Sequence, residues 1–196
     1  MLKKFSEGAE ATIYLARLYG KDVLIKHREP KRYRVRELDE SIRIARTKKE
    51  AKMTVKAHEN GVSVPQVVAV GSSAIYMEHL HGKLLKDTRI TKDAARLVGK
   101  QLAILHNSGI VHGDFTPANI ITDGKKIYVI DFGLSEPSSA SEERALDLLL
   151  MKRQMTKALY SAFASSYSRN AKSSKETLSR LEAIEERGRY QTRTLA

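Results

Sequence analysis

The 196-residue chain contains no cysteine, which excludes disulfides and thiolate metal sites. That fits a reducing compartment. No apolar run approaches the roughly 20 residues that a bilayer-spanning helix needs. The first residues, MLKKFSEG, lack the apolar core of a signal peptide. A cytoplasmic protein is therefore expected. Acidic residues are scarce beside basic ones, 23 against 35, for a net charge of +12. Such a chain attracts phosphate-rich partners: nucleotides, nucleic acid or an anionic surface. Basic residues crowd into Lys26 to Lys56, and the last ten residues, Arg187 to Ala196, hold three arginines and no acid. With 41% hydrophobic residues there is enough for one sizeable core or two small lobes.

The most informative stretch is 112–133. His112-Gly113-Asp114 follow a short apolar run, and Asn119 comes five residues after the aspartate. Ile120-Ile121 and Ile127 to Ile130 read as two short strands. Asp123-Gly124 between them is a hairpin signal of the type that needs positive φ at both central positions. Asp131-Phe132-Gly133 closes the second strand. One carboxylate and one amide thus leave a single loop, and a second carboxylate leaves the end of a paired strand. This suits phosphoryl transfer from a nucleotide, in which one carboxylate positions the acceptor hydroxyl while oxygen donors hold Mg²⁺ on the phosphates. The spacing resembles the catalytic core of protein-kinase-like enzymes. That resemblance implies Asp114 as catalytic base, Asn119 and Asp131 as metal ligands, and ATP with Mg²⁺ as cofactors.

The N-terminal part is read in the same light. Residues 3–28 look like a small antiparallel sheet with strands at Ala11–Leu15 and Asp22–Ile25. Val23-Leu24-Ile25-Lys26 matches the strand that carries a phosphate-pairing lysine. Glu37 to Asn60 lacks Gly and Pro and reads as one helix stopped by Gly61. Glu50 in that helix is the best carboxylate partner for Lys26, with Glu37, Glu40 and Glu59 as competitors. Val64–Val70 and Ser73–Met77 are two further strands, and a lobe boundary is expected at about residue 80. Residues 1–80 would form the smaller lobe and 81–196 the larger one. The kinase resemblance places the nucleotide against Gly8, Ala9, Glu10, Ala11, Ile13, Lys26, Glu50, Met77, Glu78, Leu80, Ile121 and Ile130. The fold class expected is α+β: a bilobal, protein-kinase-like fold with a small antiparallel-sheet lobe and a reduced, mainly helical second lobe.

Four helices follow. Thr91 caps one that runs to Asn107. Ser139 to Glu142 reads as a capping box opening a second, with Asp147 in its first turns. Residues 156–168 and 174–187 read as two more, after which Gly188 would let the chain leave the helix. The departures from ordinary protein kinases are as telling as the matches. The phosphate loop has one glycine, Gly8, instead of three, and the catalytic loop reads HGD. Between Gly133 and Ser139 there is almost no room for an activation segment.

Three stretches narrow the family: KHREPKRYRVRELDESIRIARTKKEAK (26–52), IYMEHLHGK (75–83), and HGDFTPANII with IDFGLS. With the terminal ERGRYQ they closely resemble the kinase subunit of the KEOPS (EKC) complex, the PRPK family, over nearly the whole chain. That resemblance implies an Mg-ATP-dependent serine/threonine kinase or ATPase. It would work beside the threonylcarbamoyl transferase subunit and other KEOPS subunits in making threonylcarbamoyladenosine on tRNA. It also suits an archaeal source. The tail arginines, Arg187, Arg189 and Arg193, would meet tRNA phosphates. Two other readings stay open: a free-standing serine/threonine kinase, and a pseudokinase that serves as a scaffold or RNA-binding module.

Overall fold

The structure, a computed structural model, describes residues 2–8, 10–18 and 20–193, the last six by backbone alone. Strand β1 (Lys3–Glu7), β2 (Thr12–Leu18) and β3 (Lys21–His27) lead into helix α1 (Arg36–Glu59). Then come β4 (Val67–Val70) and β5 (Ala74–Glu78). These five strands form one antiparallel sheet in the order β1-β2-β3-β5-β4. β1 is a third strand in the region where the sequence marked two. All five of its residues are exposed, so it carries no apolar alternation to read. The register sets Lys26 between Ile13 on β2 and Ile75 on β5. α1 lies against the sheet and buries Ala51, Met53 and Ala57. Gly61 ends it with φ of 85°, a left-handed conformation that glycine adopts without steric cost.

The second half is mainly helical. β6 (Lys83–Leu84) precedes α2 (Lys92–Asn107). β7 (Ile110–Val111), β8 (Ile120–Thr122), β9 (Ile127–Val129) and β10 (Glu136–Pro137) follow, and then α3 (Ser141–Lys152), α4 (Lys157–Asn170) and α5 (Ser174–Arg193). The Thr91 hydroxyl accepts from Ala94 N at 3.2 Å and caps α2. α2 is the central helix, with Val98, Leu102, Ala103 and Leu105 fully buried. Gly99 lets α4 approach closely, since a Cβ there would lie 2.2 Å from the Phe163 carbonyl oxygen. One apolar cluster runs from Met53, Ala57, Val62 and Val64 through α2 to Phe163, Tyr167 and Leu181. The connection after α1 is also tied to the helical half by hydrogen bonds. Ser63 N donates to Gln101 Oε1 at 2.9 Å, and Val129 N donates to Ser63 O at 2.8 Å.

Three local expectations are corrected. The β8–β9 connection has four residues, because Thr122 pairs with Ile127. Gly124 has positive φ, 92°, but Asp123 does not. Asp123 instead accepts from Lys125 N and Lys126 N through Oδ1, so its carboxylate builds the turn. The capping box at Ser139 does not form. α3 starts at Ser141 with Ala140 before it, and the nearby side-chain bond runs from Ala140 N to Ser138 Oγ. Finally, α5 continues past Gly188 to Arg193. A single glycine costs a helix only about 1 kcal/mol, which the rest of a long helix outweighs. No helix among the described residues is long and apolar enough to cross a membrane.

Candidate active site

Lys26 leaves β3 toward α1, and its Nζ lies 2.7 Å from Glu50 Oε1. The same nitrogen lies 2.7 Å from Asp131 Oδ1. Arg28, two residues along, donates from Nη2 to Glu50 Oε2 at 2.7 Å. Glu50 is therefore held on both oxygens while only 3% exposed. Glu37, Glu40 and Glu59 are not its rivals in this structure. A buried carboxylate needs such pairing, since an unpaired one costs several kcal/mol. The charges adjust to one another. Burial works against the Lys26 ammonium, but Glu50 and Asp131 outweigh it and hold its pKa above the ordinary value. Burial likewise works against the Asp131 carboxylate, and Lys26 outweighs it, so its pKa lies below the usual range.

Asp131 sits at φ 62°, the one non-glycine residue in the left-handed region among those described. Such backbone costs about 1–3 kcal/mol and persists where the surroundings impose it. Here Ile130 on one side donates its N–H to Asn119 O at 3.0 Å, and Gly133 N on the other approaches Asp131 Oδ1 at 3.3 Å. The turn aims the carboxylate at Lys26 while Phe132 stays in the core, 1% exposed.

The loop that carries Asp114 and Asn119 is built from the opposite side. Asp147 on α3 is 1% exposed. It accepts from His112 N at 2.7 Å and from Gly113 N at 2.9 Å. Its third partner is His106 Nε2 at 3.1 Å, and His106 Nδ1 lies 2.8 Å from the Tyr167 hydroxyl. Burial holds the His106 imidazole below its ordinary pKa, with Asp147 opposing, so the ring is neutral near pH 7. Burial also pushes the Tyr167 hydroxyl up to about 12, leaving it protonated. The consistent assignment is Nε2–H donating to Asp147 and Nδ1 accepting from Tyr167. Gly113 has φ of 79°, and a Cβ there would lie 2.6 Å from Leu134 O. The glycine of HGD is thus demanded by backbone geometry. Asn119 Nδ2 donates to Asp114 Oδ2 at 2.8 Å and to Asp114 O at 2.9 Å, fixing the carboxylate's orientation.

These groups face a cavity of about 410 Å³. Its lining brings together Gly8, Glu10, Ala11, Ile13, Lys26, Asp114 and Asp131. Of the residues singled out in the sequence, Glu50 and Asn119 stand behind this lining and act on it through Lys26 and Asp114. Met77, Glu78, Leu80, Ile121 and Ile130 lie outside the lining. Met77 pairs with Leu24 and Val67, Glu78 is exposed, Leu80 is buried, and Ile121 pairs with Tyr128. Ala9 lies outside the described residues. Ser6, Glu7, Arg28, Gly133 and Leu134 complete the wall. Ser6 and Glu7 belong to the expected phosphate loop and Gly133 follows Asp131 and Phe132, whereas Arg28 and Leu134 were not anticipated. Arg28 had no distinguishing signal, being one cation in a basic run. The tail expectation fares differently. Arg187 Nη2 lies 3.0 Å from Glu142 Oε1, so it does meet a carboxylate of its own chain. Arg189 and Arg193 lie outside the described side chains.

The profile of the RIO domain matches residues 18–183. The chain belongs to the RIO-domain family. Within it, the chain is 39% identical to a probable serine/threonine-protein kinase BUD32 homolog of Archaeoglobus fulgidus, over 93% of this chain and 94% of that one. It is 37% identical to the KEOPS complex subunit Bud32 of Pyrococcus abyssi, over 98% of each. A probable bifunctional tRNA threonylcarbamoyladenosine biosynthesis protein of Methanosarcina barkeri is 36% identical, and there the match spans 35% of the relative's length. Among solved structures, the Rio2 kinase–ADP/Mg²⁺–phosphoaspartate complex from Chaetomium thermophilum superposes with a TM-score of 0.66 at 17% identity. It covers 97% of this chain and 70% of that one, which establishes a protein-kinase-like fold. The chain thus has a RIO domain and a protein-kinase-like fold.

Proposed function

We propose that the chain is an Mg-ATP-dependent kinase or ATPase that works as a subunit of the archaeal KEOPS assembly and supports threonylcarbamoyladenosine formation on tRNA. The observation that carries the reading is the cluster Lys26–Glu50–Asp131 opposite Asp114 across one cavity. It stands in a chain that matches Bud32 proteins end to end. The two lobes would meet near residue 80, with the nucleotide between them.

The donor chemistry fits magnesium. Asp131 offers a carboxylate and Asn119 an amide oxygen, the hard ligands that Mg²⁺ prefers. The Asn119 NH₂ is already committed to Asp114, which leaves its carbonyl oxygen for the metal. When bound, the ion would neutralise phosphate charge. The residues do the rest. Lys26, braced by Glu50, orients the phosphates. Asp131, now bonded to Lys26, would be one of the residues that hold the metal. Asp114, held by Asn119, accepts the proton of the attacking hydroxyl or water. The adenine would lie beyond the cavity toward Met77, Glu78, Leu80, Ile121 and Ile130. Partners are the threonylcarbamoyl transferase subunit, other KEOPS subunits and, within the complex, tRNA at the arginine-bearing C-terminal end.

Free phosphate and phosphoprotein, measured with and without the transferase subunit, test the reading. ATP turnover that depends on Asp114 and rises with the transferase supports it. Asp131→Asn should weaken Mg-ATP binding, whereas Asp114→Asn should leave binding nearly intact and lower turnover by about 10²–10⁴-fold. Equal loss of ATP affinity in both variants, with nothing else changed, would overturn the division of roles.

A further inference from the structure

At the end of β3 remote from Lys26, the strand begins beside the connection that follows β5. Val23 pairs with Glu78, so the ladder extended by one residue sets Asp22 opposite His79. His81 follows two residues later on the same connection. The outcome is that one ligand atom each from Asp22, His79 and His81 lie within 4.8 Å of one another. The two imidazoles stand with ring centroids 4.7 Å apart, and the Phe5 ring meets His79 edge-on at 5.7 Å. His79 Nδ1 is buried without a hydrogen-bond partner. A buried polar nitrogen left this way is costly and calls for a partner. Two imidazoles and a carboxylate pointing together would supply one as a shared cation.

From this cluster we infer a binding site for a first-row divalent transition metal, of the Zn²⁺ class, formed by Asp22, His79 and His81. The donor set decides the metal. Imidazole suits Zn²⁺, Ni²⁺ or Cu²⁺, while Mg²⁺ takes oxygen ligands. Metal–nitrogen bonds of about 2.0–2.1 Å require the donors to close to about 3.3 Å. Asp22 and His81 are exposed and free to rotate inward, whereas His79 is half-buried and serves as the fixed point. Three protein ligands leave a fourth position for water. The bound ion would tie the first turn of β3 to residues 79–81, the connection between the sheet and the helical half. It would therefore restrain the junction on which any movement between the halves turns. None of its three residues lines the cavity around Lys26, Asp114 and Asp131, but His79 lies between Glu78 and Leu80, toward which the adenine is proposed to extend, so the site is tested without nucleotide.

Titration of the nucleotide-free full chain with Zn²⁺ by calorimetry tests it, with Co²⁺ absorption as a second readout of the ligand set. One ion per chain, a tetrahedral Co²⁺ band and a raised Tm are expected. His81→Ala and Asp22→Asn, both at exposed positions, should each weaken Zn²⁺ binding about tenfold or more while leaving the metal-free Tm unchanged. His58→Ala, at an exposed and separate imidazole on α1, should leave Zn²⁺ affinity unchanged. Mg²⁺ should produce no His81-dependent shift. Zn²⁺ affinity that is unaffected by His81→Ala and Asp22→Asn, or lowered as much by His58→Ala, would overturn the site.

Discussion

Glu50 on the sheet side and Asp147 on the helical side are both buried, 3% and 1% exposed, yet they are held differently. Glu50 is held by two cationic side chains, Lys26 and Arg28, and Lys26 is shared with Asp131. Asp147 is held by two backbone N–H groups and a neutral imidazole. Side-chain cations can be re-shared when a new anion or cation arrives, but backbone donors cannot move without moving the chain. The sheet side is thus built to exchange partners, and the helical side to hold the loop still. Under the proposed function, catalysis by positioning would need both: fixed groups at the reacting atom and adjustable charge around the phosphates.

The comparison is broken most directly at Asp147. Asp147→Ala should leave the His112 and Gly113 N–H groups and His106 without their acceptor. We expect about 3–5 kcal/mol lost from the unfolding free energy. Denaturant melts with a loss under about 1 kcal/mol would mean the brace is not structural. On the sheet side, Lys26→Met should separate stability from function. Arg28 still pairs with Glu50, so stability should change by only about 1 kcal/mol, while ATP turnover falls about 100-fold or more. A drop in stability matching that of Asp147→Ala would erase the distinction.

Gly113→Ala sharpens the fixed side further. The φ of 79° and the 2.6 Å approach to Leu134 O predict a cost of about 1–3 kcal/mol, seen in thermal unfolding, together with lost turnover. Titration separates the halves by pH. The folded pKa of His106 is depressed below 6.5, so its contribution to stability is complete above that value. It is lost as pH falls through the depressed value. Asp131 is also depressed, below 3.8, so the Lys26 cluster keeps its contribution until the pH drops below that. In stability measured from pH 7 to 3, His106→Gln should flatten the upper part of the decline and Asp131→Asn only the lowest part. The smallest effect belongs to the exposed pairs of Glu142 with Arg180 and Arg187, where Glu142→Ala should leave the thermal unfolding midpoint nearly unchanged.

The part of the candidate site set by local spacing was readable from the chain alone. Asp114 and Asn119 share one loop, Asp131 ends the next strand, and Gly61 stops α1, all through contacts a few residues apart. The helix that bears Glu50 could be drawn from the absence of Gly and Pro, and Lys26 from its apolar strand. Which glutamate meets Lys26 depended on how α1 lies on the sheet, which pairs residues 24 positions apart. The role of Arg28 was invisible, since nothing in a basic run marks the cation that turns inward. Asp147 was pointed to by the kinase resemblance, which implies an aspartate bracing the loop from this helix, while the helix pattern alone left it as easily exposed. The failed capping box at Ser139 and the continuation of α5 past Gly188 have the same origin. A motif sets a preference of about 1 kcal/mol, and packing against the rest of the molecule outweighs it. The sequence by itself determined the chemistry of the loop and its neighbours. The tertiary structure decided which distant charges reach that loop, because desolvating a charge costs more than any local preference and only its partner across the fold offsets it.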